Sequence, residues 1–166
     1  MTVRVAINGF GRIGRNILRA IYEGGFQDQV KVVSINDLSP IDISVHLIKH
    51  DSVHGRFPCD IEVHGDDMMV CGDHIKMCAT RDATALPWGE MNVDIVFECT
   101  GAFASREKAQ VHLKSGAKKV LISAPAGNDV RTIVYGVNDD TLKADDIIVS
   151  NASCTTNCLA PLVKPI

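Results

Sequence analysis

Three glycines with the spacing GxGxxG constrain the fold of this chain more than any other feature. Gly9, Gly11 and Gly14 follow a β-branched apolar run at residues 3–8 and precede apolar residues at helical spacing, positions 17, 18, 21 and 22. The predicted order is strand, tight turn, helix. Here the glycines allow the backbone to approach a pyrophosphate closely, and the helix N-terminus offers N–H donors to it. A glycine-rich turn also occurs without a ligand, so a second feature is needed.

Asp37 supplies that second feature. Residues 31–35 form another β-branched run, which completes a βαβ unit whose two strands we expect to be parallel. Asp37 stands at the end of this run, about 20 residues beyond the last glycine, where a carboxylate can accept hydrogen bonds from the adenosine ribose. An acidic side chain there would repel a 2′-phosphate. The sequence therefore predicts NAD rather than NADP as the cofactor.

The rest of the chain continues the α/β pattern. A helix is predicted at residues 105–114, with Ser105 as its N-cap and Gly116 just past its end, and another helix is predicted to begin at Ser153. Further main-sheet strands are predicted at 93–97, 119–122, 133–135 and 147–149. Three short strands between Gly-Asp turns predict an antiparallel meander at 61–63, 68–70 and 75–78. We expect an α/β fold: a Rossmann-like, doubly wound, mostly parallel sheet with a small antiparallel excursion.

Charge and hydropathy exclude several classes of protein. The net charge is −3 and Lys and Arg form no basic block, which argues against a nucleic-acid partner. No apolar run approaches the ~18 residues that a membrane span needs, and the chain opens on a strand pattern rather than a signal peptide. A cytoplasmic location is the expectation. The six cysteines are irregularly spaced, which favours free thiols over a disulfide scaffold.

Cys154 is the thiol whose surroundings suggest reactivity. It lies in the segment SNASCTTNC at 150–158, just after a predicted strand and at a predicted helix N-terminus. Exposed N–H donors and the positive end of the helix dipole favour the thiolate, the nucleophilic form of cysteine. Two alternatives remain on physical grounds alone. Cys154 and Cys158 could be small buried residues, or a CxxxC metal pair, although no second ligand pair is evident.

A histidine row is a second candidate metal site. His46, His50 and His54 are spaced by four, which on a continuous helix would place three imidazoles on one face. The residues around His54 instead indicate a helix that has ended in a loop, so the third histidine should leave the row. We therefore predict no metal site in this chain.

Eight segments along the chain form a recognisable set: VRVAINGFGRIGRN (3–16), SINDL (34–38), HDSVHGRF (50–57), LPWGE (86–90), ECTG (98–101), ISAPAG (122–127), IVYGVN (133–138) and SNASCTTNC (150–158). Together they resemble one enzyme family, glyceraldehyde-3-phosphate dehydrogenase. The resemblance covers essentially the whole chain, and the cysteine nonapeptide is its most specific part.

The resemblance implies an activity and roles for particular residues. Cys154 would attack the aldehyde of glyceraldehyde 3-phosphate, the thiohemiacetal would give up hydride to NAD, and inorganic phosphate would attack the resulting thioester to give 1,3-bisphosphoglycerate. A cytoplasmic homotetramer is implied for the full-length enzyme. The resemblance also implies contacts with the pyrophosphate from Arg12 and Ile13, near the adenine from Arg81, along the cofactor from Thr100 and Gly101, near the nicotinamide from Ser123, and with phosphate from Ser153 and Thr155.

One departure from the family pattern limits what this chain can do alone. The family's catalytic histidine lies beyond the cysteine in sequence, and here no histidine follows His112. We expect an NAD-binding domain at 1–150 and the start of a catalytic domain at 151–166 that is otherwise largely absent, so this fragment should bind NAD but be inactive. Erythrose-4-phosphate dehydrogenase is a related alternative, which Asp37 and Ala124 disfavour. A nucleotide-binding module without catalysis is the alternative from another class.

Overall fold

The computed structural model describes residues 2–165 of the chain. Its helices are α1 (Arg12–Glu23), α2 (Ile41–Lys49), α3 (Arg106–Lys114) and α4 (Cys154–Val163), with short 3₁₀ turns at Ala83–Ala85 and Asp139–Thr141. Its strands are β1 (Val3–Asn8), β2 (Val30–Asn36), β3 (His50–Asp51), β4 (Gly55–Arg56), β5 (Ile61–His64), β6 (Asp67–Val70), β7 (Asp73–Cys78), β8 (Ile95–Glu98), β9 (Lys119–Ile122), β10 (Arg131–Thr132) and β11 (Ile148–Ser150).

One twisted sheet carries most of these strands, in the order β10-β11-β9-β8-β1-β2-β7-β6-β5. Neighbours from β10 to β7 pair in parallel, whereas β7, β6 and β5 form an antiparallel meander. Strands β3 and β4 make a separate small hairpin. The mostly parallel α/β fold predicted from the sequence is confirmed. The meander extends the main sheet, because its last strand, β7, pairs with β2.

Apolar residues cover both faces of this sheet. In β1, Val5 and Ile7 face one way and pack with Leu18 of α1 and Ile48 of α2. Ala6, between them, belongs to a second core on the other face. This second core contains Trp88, and a separate third cluster includes Ala109 of α3. Helices therefore lie on both faces, as in a doubly wound fold.

The chain reverses its direction of travel across the sheet at β1. After β1 it builds β2 and the meander on one side, and then returns to place β8 on the other side. In open parallel sheets, such a switch point leaves a crevice at the carboxyl ends of the strands, where ligands bind. The ends of β1, β2 and β8 thus define where a site should be sought.

The strand predicted at 133–135 is wrong. The structure places a two-residue strand earlier, at Arg131–Thr132, and the chain then turns near Gly136. Ile133 and Val134 are buried, which explains the strand-like sequence. The backbone of Val134 bonds to the side chain of Asn138 at 2.8 Å rather than to another strand. The amide of Ile133 still donates to Ser150 O of β11 at 2.8 Å, so the apolar run follows the short strand instead of forming it.

The expectation of free thiols is wrong for two of the six cysteines. Cys59 and Cys71 form a disulfide, with 5.5 Å between their Cα atoms. They flank the hairpin of β5 and β6, in which Ile61 pairs with Val70, and the amide of Cys71 donates to Asp60 O at 3.0 Å. The hairpin register thus brings together two cysteines that are twelve residues apart in sequence. The cysteines at 78, 99, 154 and 158 are free thiols.

The helices of residues 2–165 are too short, or too polar, for any of them to cross a membrane.

Candidate functional site

A cleft of about 510 Å³ opens at the carboxyl ends of β1, β2 and β8. It lies at the switch point of the sheet. Among the residues proposed from the sequence, it brings together the five that line its walls: Gly9, Gly11, Asp37, Arg81 and Thr100. The cleft is also lined by residues for which the sequence predicted no role: Asn8, Asn36, Leu38, Thr80, Ala83, Cys99, Ala102 and Phe103.

The glycine-rich turn has the shape that a dinucleotide requires. Gly9 adopts φ +91°, and a Cβ there would lie 2.7 Å from the backbone nitrogen of Thr100. Gly9 therefore allows β1 and β8 to approach each other at the base of the cleft. A Cβ on Gly11 would meet no protein atom within 4 Å, so that position borders open space at the N-terminus of α1. Residues 9–12 thus fit a pyrophosphate bound at a helix N-terminus.

Asp37 joins the end of β2 to the glycine-rich turn. One carboxylate oxygen accepts a hydrogen bond from the amide of Phe10 at 2.6 Å, and the other accepts one from the amide of Ser39 at 2.8 Å. Partial burial opposes ionisation of this carboxyl. The two amides and the nearby Arg15 guanidinium outweigh burial and hold the pKa of Asp37 below its usual value. A charged acceptor is therefore present at the edge of the cleft.

Arg12, Ile13 and Gly101 flank the cleft rather than line it. Arg12 and Ile13 begin α1 with exposed side chains, and the guanidinium of Arg12 lies 3.8 Å from the carboxylate of Asp51. Gly101 follows Thr100 in a turn with φ +76°. Their positions are compatible with contacts to a bound cofactor.

A buried polar network beneath the cleft was not anticipated from the sequence. Glu98, at the end of β8, is only 1% exposed and accepts hydrogen bonds from the side chain of Asn8, from His112 and from Thr100. Burial opposes its ionisation, but His112, Thr100 and Asn8 outweigh burial and hold its pKa below the usual value. The available signal was a polar residue at the end of one predicted strand, Asn8, and directly after two others, Asn36 and Glu98.

Ser123 connects the cleft to the next strand along the sheet. It follows β9, and its amide donates to Glu98 O at 3.0 Å, so it lies beside the end of β8. Cys99, which follows Glu98 and lines the cleft, lies close enough to Ser123 for the hydroxyl to favour its thiolate. Burial, together with the charge of Glu98, outweighs that effect and raises the pKa of Cys99 to about 11. Cys99 is therefore held as a neutral thiol at neutral pH.

Cys154 is the first residue of α4, and its side chain is exposed. Ser153 is the N-cap, and its hydroxyl accepts a hydrogen bond from the amide of Thr156 at 3.0 Å. The helix start predicted at Ser153 is confirmed. Ala152, just before the cap, is buried and adopts φ +58°, a conformation that costs a residue with a Cβ about 1 kcal/mol or more. The backbone is thus held in an unfavourable conformation immediately before Cys154.

The cysteine helix leaves the sheet at the same edge as the cleft. Parallel strands end on one side, and the amide of Asn151, after β11, donates to Ile122 O at the end of β9. The side chain of Asn157 in α4 donates to Asn151 O at 2.7 Å and fixes the helix to that edge. Ser153, Cys154 and Thr155 therefore follow the strand ends in the row that includes the cleft and Ser123.

The histidine row ends where the helix does. His46 lies in α2 and His50 caps it, with 5.0 Å between their ring centroids. His54 leaves the row, as predicted, and its Nδ1 lies 3.2 Å from the carboxylate of Asp51. Within the part of the chain that the structure describes, no three potential metal ligands cluster.

Comparisons with known proteins agree with this geometry. Residues 3–106 match the family described as "Glyceraldehyde 3-phosphate dehydrogenase, NAD binding domain". The chain belongs to this family. It is 61% identical, over its whole length, to the Cupriavidus necator protein named "Glyceraldehyde-3-phosphate dehydrogenase, plasmid". Over 99% of its length it is 56% identical to the Pseudomonas aeruginosa glyceraldehyde-3-phosphate dehydrogenase and 57% identical to that of Xanthobacter flavus.

The family assignment confirms the resemblance inferred from the motifs, and with it NAD as the cofactor of this class of domain. The chain spans about half the length of the curated glyceraldehyde-3-phosphate dehydrogenases that it matches. The matched region, residues 3–106, contains the glycine-rich turn, Asp37 and Thr100, and it ends before Cys154.

Proposed function

We propose that this chain provides the NAD site and the nucleophile of a phosphorylating glyceraldehyde-3-phosphate dehydrogenase. One observation carries the proposal: the cofactor cleft and the N-terminus of the Cys154 helix follow the same edge of one parallel sheet. An exposed thiol in the first turn of a helix has the position of an activated nucleophile. In the proposed assignment, residues 1–150 bind NAD and residues 151–166 begin the catalytic domain.

The proposed reaction assigns Cys154 the covalent steps. Its thiolate sulfur forms a bond to the aldehyde carbon of glyceraldehyde 3-phosphate to give a thiohemiacetal, and bound NAD would supply the hydride acceptor needed to oxidise this adduct to a thioester. The resulting thioester is cleaved when inorganic phosphate attacks its carbonyl carbon, which releases 1,3-bisphosphoglycerate and the thiolate. Ser153 and Thr155, on either side of the nucleophile, are proposed to hydrogen-bond phosphate oxygens.

The proposed cofactor contacts follow the walls of the cleft. Gly9 and Gly11, with Arg12 and Ile13 at the start of α1, would receive the pyrophosphate. Asp37 would accept from the adenosine ribose, and Arg81 would lie near the adenine. Thr100, Gly101 and Ser123 would line the remainder of the cofactor up to the nicotinamide.

A proton acceptor is still needed for the thiohemiacetal step. His112, the last histidine in the chain, is fully buried and bonded to Glu98, so it is not available to Cys154. We propose that the acceptor comes from a segment beyond these 166 residues. The isolated chain should then bind NAD without turnover, and the complete protein is proposed to act as a cytoplasmic homotetramer.

Two measurements test this proposal. The complete protein is assayed for NADH formation with glyceraldehyde 3-phosphate plus phosphate, and separately with erythrose 4-phosphate. We expect turnover with the first aldehyde, dependent on phosphate, and its loss in Cys154→Ser while NAD binding persists. Faster turnover of erythrose 4-phosphate would assign the enzyme to the other branch. NAD binding without turnover of either aldehyde would indicate a non-catalytic module.

A further inference from the structure

The carboxylate of Glu98 joins two walls of the cofactor cleft. Its Oε2 accepts a hydrogen bond from Asn8 Nδ2 at 2.6 Å and lies 2.9 Å from Nε2 of His112. Its Oε1 accepts one from the backbone amide of Thr100 at 2.7 Å and is also bonded to the Thr100 hydroxyl. Asn8 ends β1 and Thr100 follows β8, and both residues line the cleft. Glu98 itself is absent from the cleft wall and almost completely buried.

The backbone of Thr80 fixes which atoms Asn8 presents to Glu98. Asn36 donates through Nδ2 to Thr80 O and accepts at Oδ1 from the Thr80 amide, both at 3.0 Å, so its side-chain amide has one orientation. Asn36 Nδ2 also donates to Asn8 Oδ1 at 2.7 Å, which turns the NH₂ group of Asn8 toward Glu98. The backbone of Thr80, acting through Asn36, therefore determines that Asn8 donates to Glu98.

Trp88 fixes the donor on the opposite side in the same way. Its indole Nε1 can only donate, and it lies 3.2 Å from Nδ1 of His112. Nδ1 must therefore be an acceptor, and the ring proton of His112 is on Nε2, which faces Glu98. His112 Nε2, Asn8 Nδ2 and the Thr100 amide are therefore three hydrogen-bond donors to Glu98, and none of them can act as an acceptor instead. Only an acceptor at both carboxylate oxygens satisfies all three.

We propose that Glu98 is a positioning residue for the cofactor: its buried carboxylate holds Asn8 and Thr100 at the separation that the bound dinucleotide requires. This inference rests on the proposed NAD binding and extends it to a residue that need not touch the cofactor. Preorganisation of a site lowers the ordering cost of binding. Because Glu98 fixes the Thr100 amide directly, the turn that leads into Gly101 is held in place before NAD arrives.

The isosteric variant Glu98→Gln separates positioning from packing. A glutamine amide presents one acceptor and one NH₂ group. If the NH₂ group takes the position of Oε1, it faces the N–H of the Thr100 amide. If the NH₂ group takes the position of Oε2, it faces the donors of Asn8 and His112. Either orientation opposes donor to donor and leaves buried donors unpaired, while the volume is unchanged.

The experiment measures NAD affinity of the complete protein by calorimetry at 25 °C, with folding checked by circular dichroism and thermal melts. For Glu98→Gln we expect the NAD affinity to be about tenfold lower than that of the wild type, at a temperature where the variant is fully folded. Tyr22→Phe is the matched control, because it removes one 3.1 Å hydrogen bond to the carboxylate of Asp73, and neither residue lines the cleft. It should lower the melting temperature and leave NAD affinity within twofold.

Two outcomes overturn the proposal while leaving NAD binding intact. The first is an NAD affinity in folded Glu98→Gln that equals that of the wild type. The second is a loss of NAD affinity in Tyr22→Phe as large as that in Glu98→Gln when the two variants lose the same amount of melting temperature. Absence of NAD binding in the wild type would instead remove the proposed function and this inference together.

A second readout needs no variant and covers the case in which Glu98→Gln does not fold. Hydrogen exchange in the wild-type protein without NAD should show the Thr100 amide protected, because Glu98 already accepts it. Trp88 is the only tryptophan, so its single indole N–H signal also reports the His112 end of the network. We expect both N–H groups to be protected before and after NAD addition. A Thr100 amide that exchanges freely until NAD binds would overturn the proposal.

Discussion

The carboxylate of Asp37 accepts a hydrogen bond from the amide of Phe10 at 2.6 Å and thereby fixes the end of β2 to the glycine-rich turn. The residue proposed to select the cofactor thus also shapes the loop proposed to bind its pyrophosphate. One side chain couples the two parts of the cleft, and this coupling sets what its substitution should do.

We expect Asp37→Asn to weaken NAD binding by about tenfold to a hundredfold, because a charged acceptor for the ribose is lost. The preference for NAD over NADP should narrow, since the repulsion of a 2′-phosphate is removed as well. Titration calorimetry with both cofactors measures the two effects. Asp42→Asn, an exposed position in the first turn of α2, is the control with the same change in net charge. Tighter NADP than NAD binding in the wild type would contradict the assignment of Asp37.

Gly11→Ala should weaken NAD binding without destabilising the fold. Gly11 has φ −70°, which any residue adopts, and an added Cβ would meet no protein atom within 4 Å. We expect an unchanged melting temperature and NAD affinity lower by about tenfold, because the methyl group would occupy space needed by the pyrophosphate.

Gly89→Ala is the matched control for Gly11→Ala, with ordinary contacts at 3.5 Å and no place in the cleft. Its NAD affinity should equal that of the wild type. Gly9→Ala should differ from both, since its Cβ would lie 2.7 Å from the Thr100 nitrogen and would disturb folding itself. Full NAD affinity in Gly11→Ala would show that the pyrophosphate does not lie at this turn.

Local chemistry explains which features could be predicted from the sequence. The glycine turn, Asp37 and the caps Ser105 and Ser153 depend on residues close in sequence, and the structure has each where it was expected. The Glu98 network depends on contacts such as that to Asn8, ninety positions away. Its members were visible only as polar residues at strand ends.

Two features of the structure, a disulfide and a buried turn, differ from the sequence predictions for physical reasons. The disulfide between Cys59 and Cys71 requires the register of the β5–β6 hairpin, which spacing does not reveal. Ile133 and Val134 are buried and have the composition of a strand, but they follow β10, and the amide of Val134 bonds to the side chain of Asn138. Apolar composition indicates burial, but it does not show which groups the backbone will hydrogen-bond.

Glu98 should make the stability of the protein sensitive to acid. Its pKa is lower in the folded protein than in the unfolded chain, so its contribution is complete above the unfolded value of about 4.3. The contribution is lost as pH falls through the folded value. Urea unfolding of wild type and Glu98→Gln should therefore show a stability gap that is constant from pH 7 to about pH 5 and closes below about pH 4. Other carboxyls titrate in both proteins and cancel in the difference. A gap independent of pH down to pH 2.5 would contradict this.

Reduction of the Cys59–Cys71 disulfide should destabilise the meander. Opening a loop of this length removes about 3 kcal/mol of stabilisation in the chain-entropy account. Urea unfolding with and without a phosphine reductant measures the loss. The double variant Cys59→Ser/Cys71→Ser should have the stability of the reduced protein and no response to reductant. Equal stability of oxidised and reduced wild type would show that the bridge contributes nothing.

Cys154 should be the fastest of the free thiols to react with iodoacetamide. Cys154 and Cys158 are both exposed, so accessibility does not separate them. Cys154 lies in the first turn of α4, where the positive end of the helix dipole and unpaired N–H groups face a reacting sulfur, whereas Cys158 lies one turn further along. A dipole effect of this size predicts a rate advantage of about two- to fivefold.

Cys99 should be the slowest of the free thiols to react with iodoacetamide in the same experiment. It is partly buried and its pKa is raised to about 11, so almost no thiolate is present at pH 7.5 and its alkylation should be slow. Rates are read for each cysteine peptide by mass spectrometry in the folded protein, and in urea all of the free thiols should react at similar rates. Cys154→Ser should abolish the fast phase and leave the rate at Cys158 unchanged. If Cys158 or Cys99 were alkylated before Cys154 in the folded state, the helix N-terminus would not be activating the thiol, and the nucleophile would have to be sought elsewhere.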